Sequence, residues 1–452
     1  MSLITPRSAP GVLELLPREQ IAFRWMLDTI RAGYEKFGFV PVETPVFENV
    51  EVLLGKTGGE TARQVYFVQS TGAREQNQAP DLALRFDLTV PLARYVAEHE
   101  PKLVFPFRRY QIQQVYRGER AQKGRFREFY QCDVDVIGKD SLSLGYDAEL
   151  PAVIHQVFTA LGVGAFTIQL NNRKVLRGIL EQVGVSDEAC AQLVLREVDK
   201  LDKMGREKVV EALQKPELGL EAAKGTALLD LLSSQGTPDE ILARLRALPG
   251  PSESLTKGIE ELTTVLSTMK ALGVPEKAYR LNLSIARGLD YYTGTIYETR
   301  LDELPEFGSV CSGGRYDNLA GHYTKSKLPG VGISIGATRL FQALLEKGVL
   351  QPQRGGADVL VAQVDPTLES RCGALAAQLR AAGLKAELFV TGAKLDKQLK
   401  YAERSGIPAV LILGGTEATQ GVVQVKDMAA RSQALVPEAE VVAAVRKIAG
   451  QA

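Results

Sequence analysis

FRRYQIQQVYRGERAQKGRFREFYQCDVDVI, residues 107–137, contains two long alternating segments joined by the loop GERAQKG (118–124). That is the pattern of a β-hairpin. In its second half, Arg125 to Gly138, period two places Phe126, Tyr130, Cys132, Val134 and Val136 on one face. Arg125, Arg127, Phe129, Gln131, Asp133 and Asp135 fall on the other. Alternation is common to any half-buried strand, so the content of the polar face is the informative part: guanidinium, aromatic ring, amide and carboxylate in order. Arg117 to Arg127 holds five basic residues against one Glu. The rigid fork of arginine pairs two oxygens at once, so Arg127 suits a phosphate. Phe129 suits the face of a base, a contact of roughly 1–3 kcal/mol. Gln131 and Asp135 suit a small polar ligand.

Outward from the hairpin, Ile21, Trp25, Ile30, Tyr34 and Phe37 recur at helical spacing, and the segment from Arg18 to Phe37 reads as a helix. FVPVET, RQVYFV and LALRF read as strands, and Leu88 to Ala97 as a second helix. After the hairpin come a helix over Ser143–Leu161 and the strand AFTIQL. From Asn172 to Glu276 Leu- and Glu-rich helical periods dominate, with a capping box at Thr237-Pro238-Asp239-Glu240. Strand signals resume at YRLNLSIA and end at GVGISIG, which feeds a helix over Ala337–Lys347. Beyond the linker GVLQPQRGGA, strand and helix alternate as in a small α/β domain with a mainly parallel sheet. The expected parts are an α+β catalytic core in two pieces (1–171 and 277–350), a helical insertion (172–276) and a C-terminal α/β domain (356–452).

Composition narrows the class. At 452 residues, 45% hydrophobic, the chain has the make-up of a multidomain globular protein, not a disordered or fibrous one. No apolar run approaches the roughly 18 residues needed to cross a bilayer. The first residues lack an apolar signal core, so a cytoplasmic location is expected. Cys132, Cys190, Cys311 and Cys372 are widely spaced, and His99, His155 and His322 equally so, which fits neither a zinc site nor a disulfide framework. Lys plus Arg number 54 and Asp plus Glu 54, so any contact with nucleic acid must be local.

YRGER…GRFREFYQ resembles motif 2 of the class II aminoacyl-tRNA synthetases. KFGFVPVETPVFE resembles motif 1, which forms the dimer interface in that class, and GVGISIGATRLFQALL resembles motif 3. The resemblance implies ATP as a substrate, with Mg²⁺, and a set of ATP-binding residues. Arg117 would hold the α-phosphate, Glu119 read the adenine edge, and Phe129 and Arg339 sandwich the adenine, with Arg125 close by. A helix N-terminus after GISIG favours anionic phosphate, which supplies a mechanism.

RGLDYYTG (287–294) and CSGGRYDNL (311–319) resemble the two signature stretches of the histidyl-tRNA synthetase family. The implied reaction joins L-histidine to tRNA(His) through an adenylate. Asp87 and Thr89 would bind the α-ammonium, and Gln131 the carboxylate or amino group. Asp135, Tyr292 and Tyr316 would satisfy the imidazole, with Tyr291 beside them. Arg287 would lie by the carboxylate and α-phosphate as the catalytic charge stabiliser, together with Arg117. No tightly bound cofactor and no protein metal site are expected. A site built to bond a polar group rejects analogues lacking it by about 10⁴–10⁵, so no editing domain is required. AKLDKQLKYAERSGIPAVLILGGTE (393–417) resembles the anticodon-binding domain of several class II enzymes. Gly118, Ala121 and the DLT of 87–89 depart from common bacterial forms of the family, and none removes a charged group that the chemistry needs. The alternative is the histidine-binding regulatory subunit of ATP phosphoribosyltransferase, a paralogue that lacks the anticodon domain and usually loses the arginines kept here as Arg117, Arg287 and Arg339.

Overall fold

The computed structural model describes residues 3–55, 62–120, 124–198, 200–285, 292–351 and 356–450. Residue contacts divide the chain into two compact units, 1–14 with 25–350 and 15–24 with 351–452.

The first unit is built on an eight-stranded sheet. Its strands, in spatial order, are Val40–Pro41, Phe107–Tyr116, Glu128–Ile137, Gly330–Gly336, Ser309–Tyr316, Thr295–Leu301, Phe166–Asn172 and Tyr279–Leu281. The six inner strands pair antiparallel, and only the short edge strands pair parallel. The hairpin expected over 107–137 is present, with Phe107 opposite Ile137 and Tyr116 opposite Glu128. Its apolar face, Cys132, Val134 and Val136, is fully buried. The helix Pro17–Lys36 contributes Tyr34, whose hydroxyl donates to the Cys132 carbonyl at 2.9 Å. Met26, Ile30 and Tyr34 form the buried stripe of that helix, whereas Trp25 is displaced by about a quarter turn from Met26 and remains 40% exposed. The strand readings at FVPVET and YRLNLSIA shrink to Val40–Pro41 and Tyr279–Leu281, because only those residues find a neighbour to pair with.

Between Arg173 and Ala271 the described residues are helical apart from short connections. The capping box read at Thr237 is formed, Thr237 Oγ1 accepting from Glu240 N at 3.3 Å and Glu240 Oε2 from Thr237 N at 2.9 Å. The helix Glu253–Ala271 packs on Arg173–Gln182 and Gly145–Leu161. Its Glu261 accepts from Asn172 Nδ2 at 2.9 Å and pairs with Lys174, tying the helices to the last residue of a sheet strand.

The second unit has a five-stranded sheet in the order Ala386–Leu388, Val359–Gln363, Ala409–Leu413, Val422–Asp427, Ser432–Pro437. The first three strands are parallel and the last two antiparallel, so the sheet is mixed. Only residues 414–421 separate Leu413 from Val422, which is shorter than a parallel crossover requires. Val361, Leu375, Leu379, Leu411, Val423 and Val445 form its core.

Candidate active site

Two adjoining cavities lie along the polar face of the hairpin. The first is lined by Arg117, Glu119, Arg125, Phe129 and Arg339, together with Gly124, Phe126, Gly336 and 309–311. The second is lined by Asp87, Thr89, Asp133, Asp135, Tyr292 and Tyr316, with Gly332 and Ile333. Arg117, Gln131, Ser312 and Ser334 line both. Strand register produces this order: Gln131, Asp133 and Asp135 face one way, opposite Gly336, Ser334 and Gly332 of the next strand.

In the first cavity Arg117 donates through Nε to the Phe86 carbonyl at 2.9 Å, and its guanidinium carbon lies 5.1 Å from the Phe129 ring centroid. Arg339, near the start of the helix Ala337–Glu346, donates through Nε to Gly124 O and through Nη1 to Ser309 O, both at 2.8 Å. The neighbouring Thr338 hydroxyl accepts from Tyr130 N at 2.9 Å, locking that helix to the hairpin strand. Glu119 and Arg125 approach to 3.5 Å. Arg127 does not line the cavity; it donates to the carbonyls of Glu119 and Pro10.

The second cavity is dominated by buried carboxyl groups. Asp135 Oδ1 accepts from the Tyr316 hydroxyl at 2.8 Å, and Oδ2 pairs with the fully buried Arg109 at 2.6 Å. Arg109 in turn donates to Gln111, which donates to Thr44 and Gln113. Arg85, 1% exposed, donates to Gln113 and to the carbonyls of Thr44, Pro45 and Gln114. This network fixes the strand behind the cavity to the loop that carries Asp87. Asp87 Oδ1 accepts from Val90 N at 3.0 Å, at the start of the helix Thr89–His99. Two glycines make room. A Cβ on Gly332 would lie 1.9 Å from Asp135 Oδ1, and one on Gly330 would lie 2.3 Å from the Tyr316 ring. Gly332→Ala is therefore expected to push Asp135 off its position and raise KM for the second cavity's ligand by at least tenfold, read by steady-state kinetics on a variant that still folds.

Burial pushes Asp87 up to about 6, against the Val90 amide and the Arg117 charge, and pushes Asp133 up to about 7, against the Arg109 charge. Asp135 is also raised, by burial opposed by Arg109 and the Tyr316 hydroxyl. Below about pH 4 these carboxyls are neutral in both folded and unfolded chains. As pH rises toward 7 the unfolded groups ionise first, so these groups stabilise the fold at low pH and that stability is lost through the folded values. Each such group costs about 1.4 kcal/mol per pH unit across that window. The urea midpoint of Asp133→Asn should thus fall less between pH 5 and 7.5 than that of the unsubstituted chain.

The structure brings together Arg117, Glu119, Arg125, Phe129 and Arg339 in one cavity and Asp87, Thr89, Asp135, Tyr292 and Tyr316 in the other, with Gln131 shared. Arg287 and Tyr291 lie outside the described residues. The sequence reading did not assign Asp133, Ser312, Ser334 or Arg109. Asp133 stood on the polar face already recognised, and Arg109 begins the same alternation with Gln111 and Gln113 on the first hairpin strand.

A six-stranded antiparallel core bearing a basic hairpin, an aromatic platform and a helix-start arginine over one cavity defines a class II aminoacyl-tRNA synthetase catalytic core. The profile described as Histidyl-tRNA synthetase matches residues 11–340, and that of the Anticodon binding domain matches 358–448. The chain is 57% identical over 448 residues to the Histidine–tRNA ligase of Xanthomonas axonopodis pv. citri, covering 95% of this chain and 94% of that protein. It is 56% identical over 451 residues to that of Xylella fastidiosa strain M12, covering 97% of each. The crystal structure of histidyl-tRNA synthetase from Nostoc sp. PCC 7120 superposes with a TM-score of 0.87 at 38% identity, over 98% of this chain and all of that one. The chain belongs to the histidyl-tRNA synthetase family. Full-length similarity to ligases, including the anticodon-domain match, sets aside the regulatory-subunit alternative.

Proposed function

We propose that the two cavities perform the two halves of histidine activation in a histidine–tRNA ligase, with MgATP in the first and L-histidine in the second. The observation that carries this reading is the shared lining of Arg117, Gln131, Ser312 and Ser334, where a carboxylate from one cavity meets an α-phosphate from the other. The adenine stacks between Phe129 and Arg339, Glu119 takes its polar edge, and Arg125 supports Glu119. Asp135, its oxygens oriented by Tyr316 and Arg109, accepts an imidazole N–H, and Tyr292 completes that end. Asp87 and Thr89 hold the α-ammonium. A carboxylate oxygen attacks the α-phosphorus and pyrophosphate leaves. The terminal ribose hydroxyl of tRNA(His) then attacks the carbonyl carbon of the adenylate, and AMP leaves. Arg117 and, by family resemblance, Arg287 stabilise the charge that develops on the phosphoryl oxygens, and Tyr291 adjoins the histidine.

Residues 1–171 and 277–350 form the catalytic core, 172–276 an insertion, and 356–452 the part that reads the anticodon. Val40 and Phe47, each about half exposed in the motif 1 segment, suit a homodimer interface. The enzyme works in the cytoplasm.

The test is histidine-dependent exchange of pyrophosphate into ATP by the pure protein, followed by charging of tRNA. No exchange with histidine, ATP and Mg²⁺ sinks the reading. Arg287→Ala is expected to lower the activation rate by about 10²–10³-fold with little change in histidine affinity. Equal losses in both would make Arg287 a binding residue alone.

A further inference from the structure

Two side chains that line the second cavity carry buried acceptors. Gln131 is 8% exposed and donates its Nε2 to Ser334 Oγ at 2.7 Å, and its Oε1 has no hydrogen-bond partner among the described residues. Asp133 is 2% exposed, and its Oδ1 likewise has none. Ser334, which accepts from Gln131, stands opposite Asp133 on the neighbouring strand, where its hydroxyl favours the ionised Asp133 carboxyl. Both line the cavity with Asp87, from successive outward positions of one strand. Buried polar groups left without partners are costly, and such pairs persist where a ligand satisfies them.

The missing partner is a donor with several N–H groups. A carboxylate brings only acceptors. An imidazole offers N–H groups at opposite edges of a flat ring, and Asp135 with Tyr316 already addresses it. An ammonium brings three donors, which Asp87, Gln131 Oε1 and Asp133 Oδ1 share with the Thr89 hydroxyl. Charge agrees. The groups that face Asp133 are Arg109, Asp135 and Asp87. Arg109 pairs directly with Asp135 and Arg117 faces Asp87, which leaves Asp133, among the described residues, with no ion pair of its own and open to a ligand cation.

We propose that Asp133 is a further ligand of the substrate α-ammonium, beside Asp87, Thr89 and the Gln131 amide oxygen, and that it sets the preference for a free amino group. The proposal rests on reading the second cavity as the histidine site. It also settles the orientation of Gln131, which presents its oxygen to the amino group and not its nitrogen to the carboxylate.

Calorimetry on the full chain separates this role from a general one. L-histidinol carries the ammonium and imidazole without the carboxylate, and 3-(imidazol-4-yl)propionate carries the imidazole and carboxylate without the ammonium. Asp133→Asn should weaken histidine and histidinol by about 10–100-fold and change the propionate less than about threefold. Equal weakening of both analogues, or of neither, overturns the proposal. So does Mg²⁺ alone binding the unsubstituted chain and losing that binding in the variant while histidinol keeps its affinity. Melting temperature checks the fold. If Asp133→Asn does not fold, Asp133→Ser is read by the same outcomes. Failure of the unsubstituted chain to exchange pyrophosphate would instead count against the ligase reading itself.

Discussion

Arg117→Ala is expected to lower kcat/KM for histidine-dependent pyrophosphate exchange by about 10³-fold or more while leaving the melting temperature within a few degrees. The geometry explains both halves of that expectation. Arg117 lies where the two cavities join, so on the proposed reading its guanidinium would serve the phosphorus under attack and not a remote part of either ligand. Its Nε is tied to the Phe86 carbonyl and its guanidinium carbon lies 5.1 Å from the Phe129 ring centroid, which on the proposed reading leaves the two terminal nitrogens to meet phosphoryl oxygens as a fork. Binding energy placed there grows as charge develops, so the loss appears in the rate more than in affinity. Arg117→Lys should rescue little, because an ammonium can neither bond Phe86 through a side-chain Nε nor present two parallel donors. A lysine variant with near-normal activity would show that a point charge suffices. The fold should tolerate both changes, since the side chain is only part-buried and makes one side-chain hydrogen bond among the described residues.

The hairpin and the helix after GVGISIG were legible because each is long and strictly periodic, and the polar face of residues 125–135 announced a ligand. Periodicity tells which face a residue occupies. It does not tell which of its atoms are satisfied, which is why Asp133 looked no different from Asp135 until Ser334, Arg109 and Tyr316 were placed across the sheet. Arg109 and Arg85 were missed for the complementary reason: a basic residue in an alternating strand reads as solvent-facing, and only the tertiary fold buries both. Short strands were overcalled where pairing partners run out, as at Tyr279–Leu281. The C-terminal sheet turned antiparallel because the last connections are too short to cross over, a constraint of distance that residue type does not express. Of RGLDYYTG, Tyr292 to Gly294 fall within the described residues, and Tyr292 lines the cavity.

Arg109→Met should separate stability from function at the opposite end of the site. Methionine approximates the aliphatic stem of Arg109, so packing loss is small, but Asp135 then sits 3% exposed with no guanidinium partner. Removing one member of a buried ion pair costs about 3–5 kcal/mol, a large part of a domain's stability. Asp135 and Asp133, already raised by burial with Arg109 opposing it, would be raised further. Histidine binding should fall sharply, because a protonated Asp135 no longer offers a charged acceptor to the imidazole. Adding Asp135→Asn to Arg109→Met removes a carboxyl that must otherwise be protonated or stand unpaired, and urea unfolding should show the double variant recovering at least half of the lost stability. Exchange activity should not recover with it, since the acceptor for the imidazole has lost its charge. Recovery of both together would mean that Arg109 and Asp135 only hold the sheet in place. Recovery of stability alone assigns the pair its two tasks: Arg109 keeps a carboxylate ionised in a buried cavity, and Asp135 uses that charge to hold the ring.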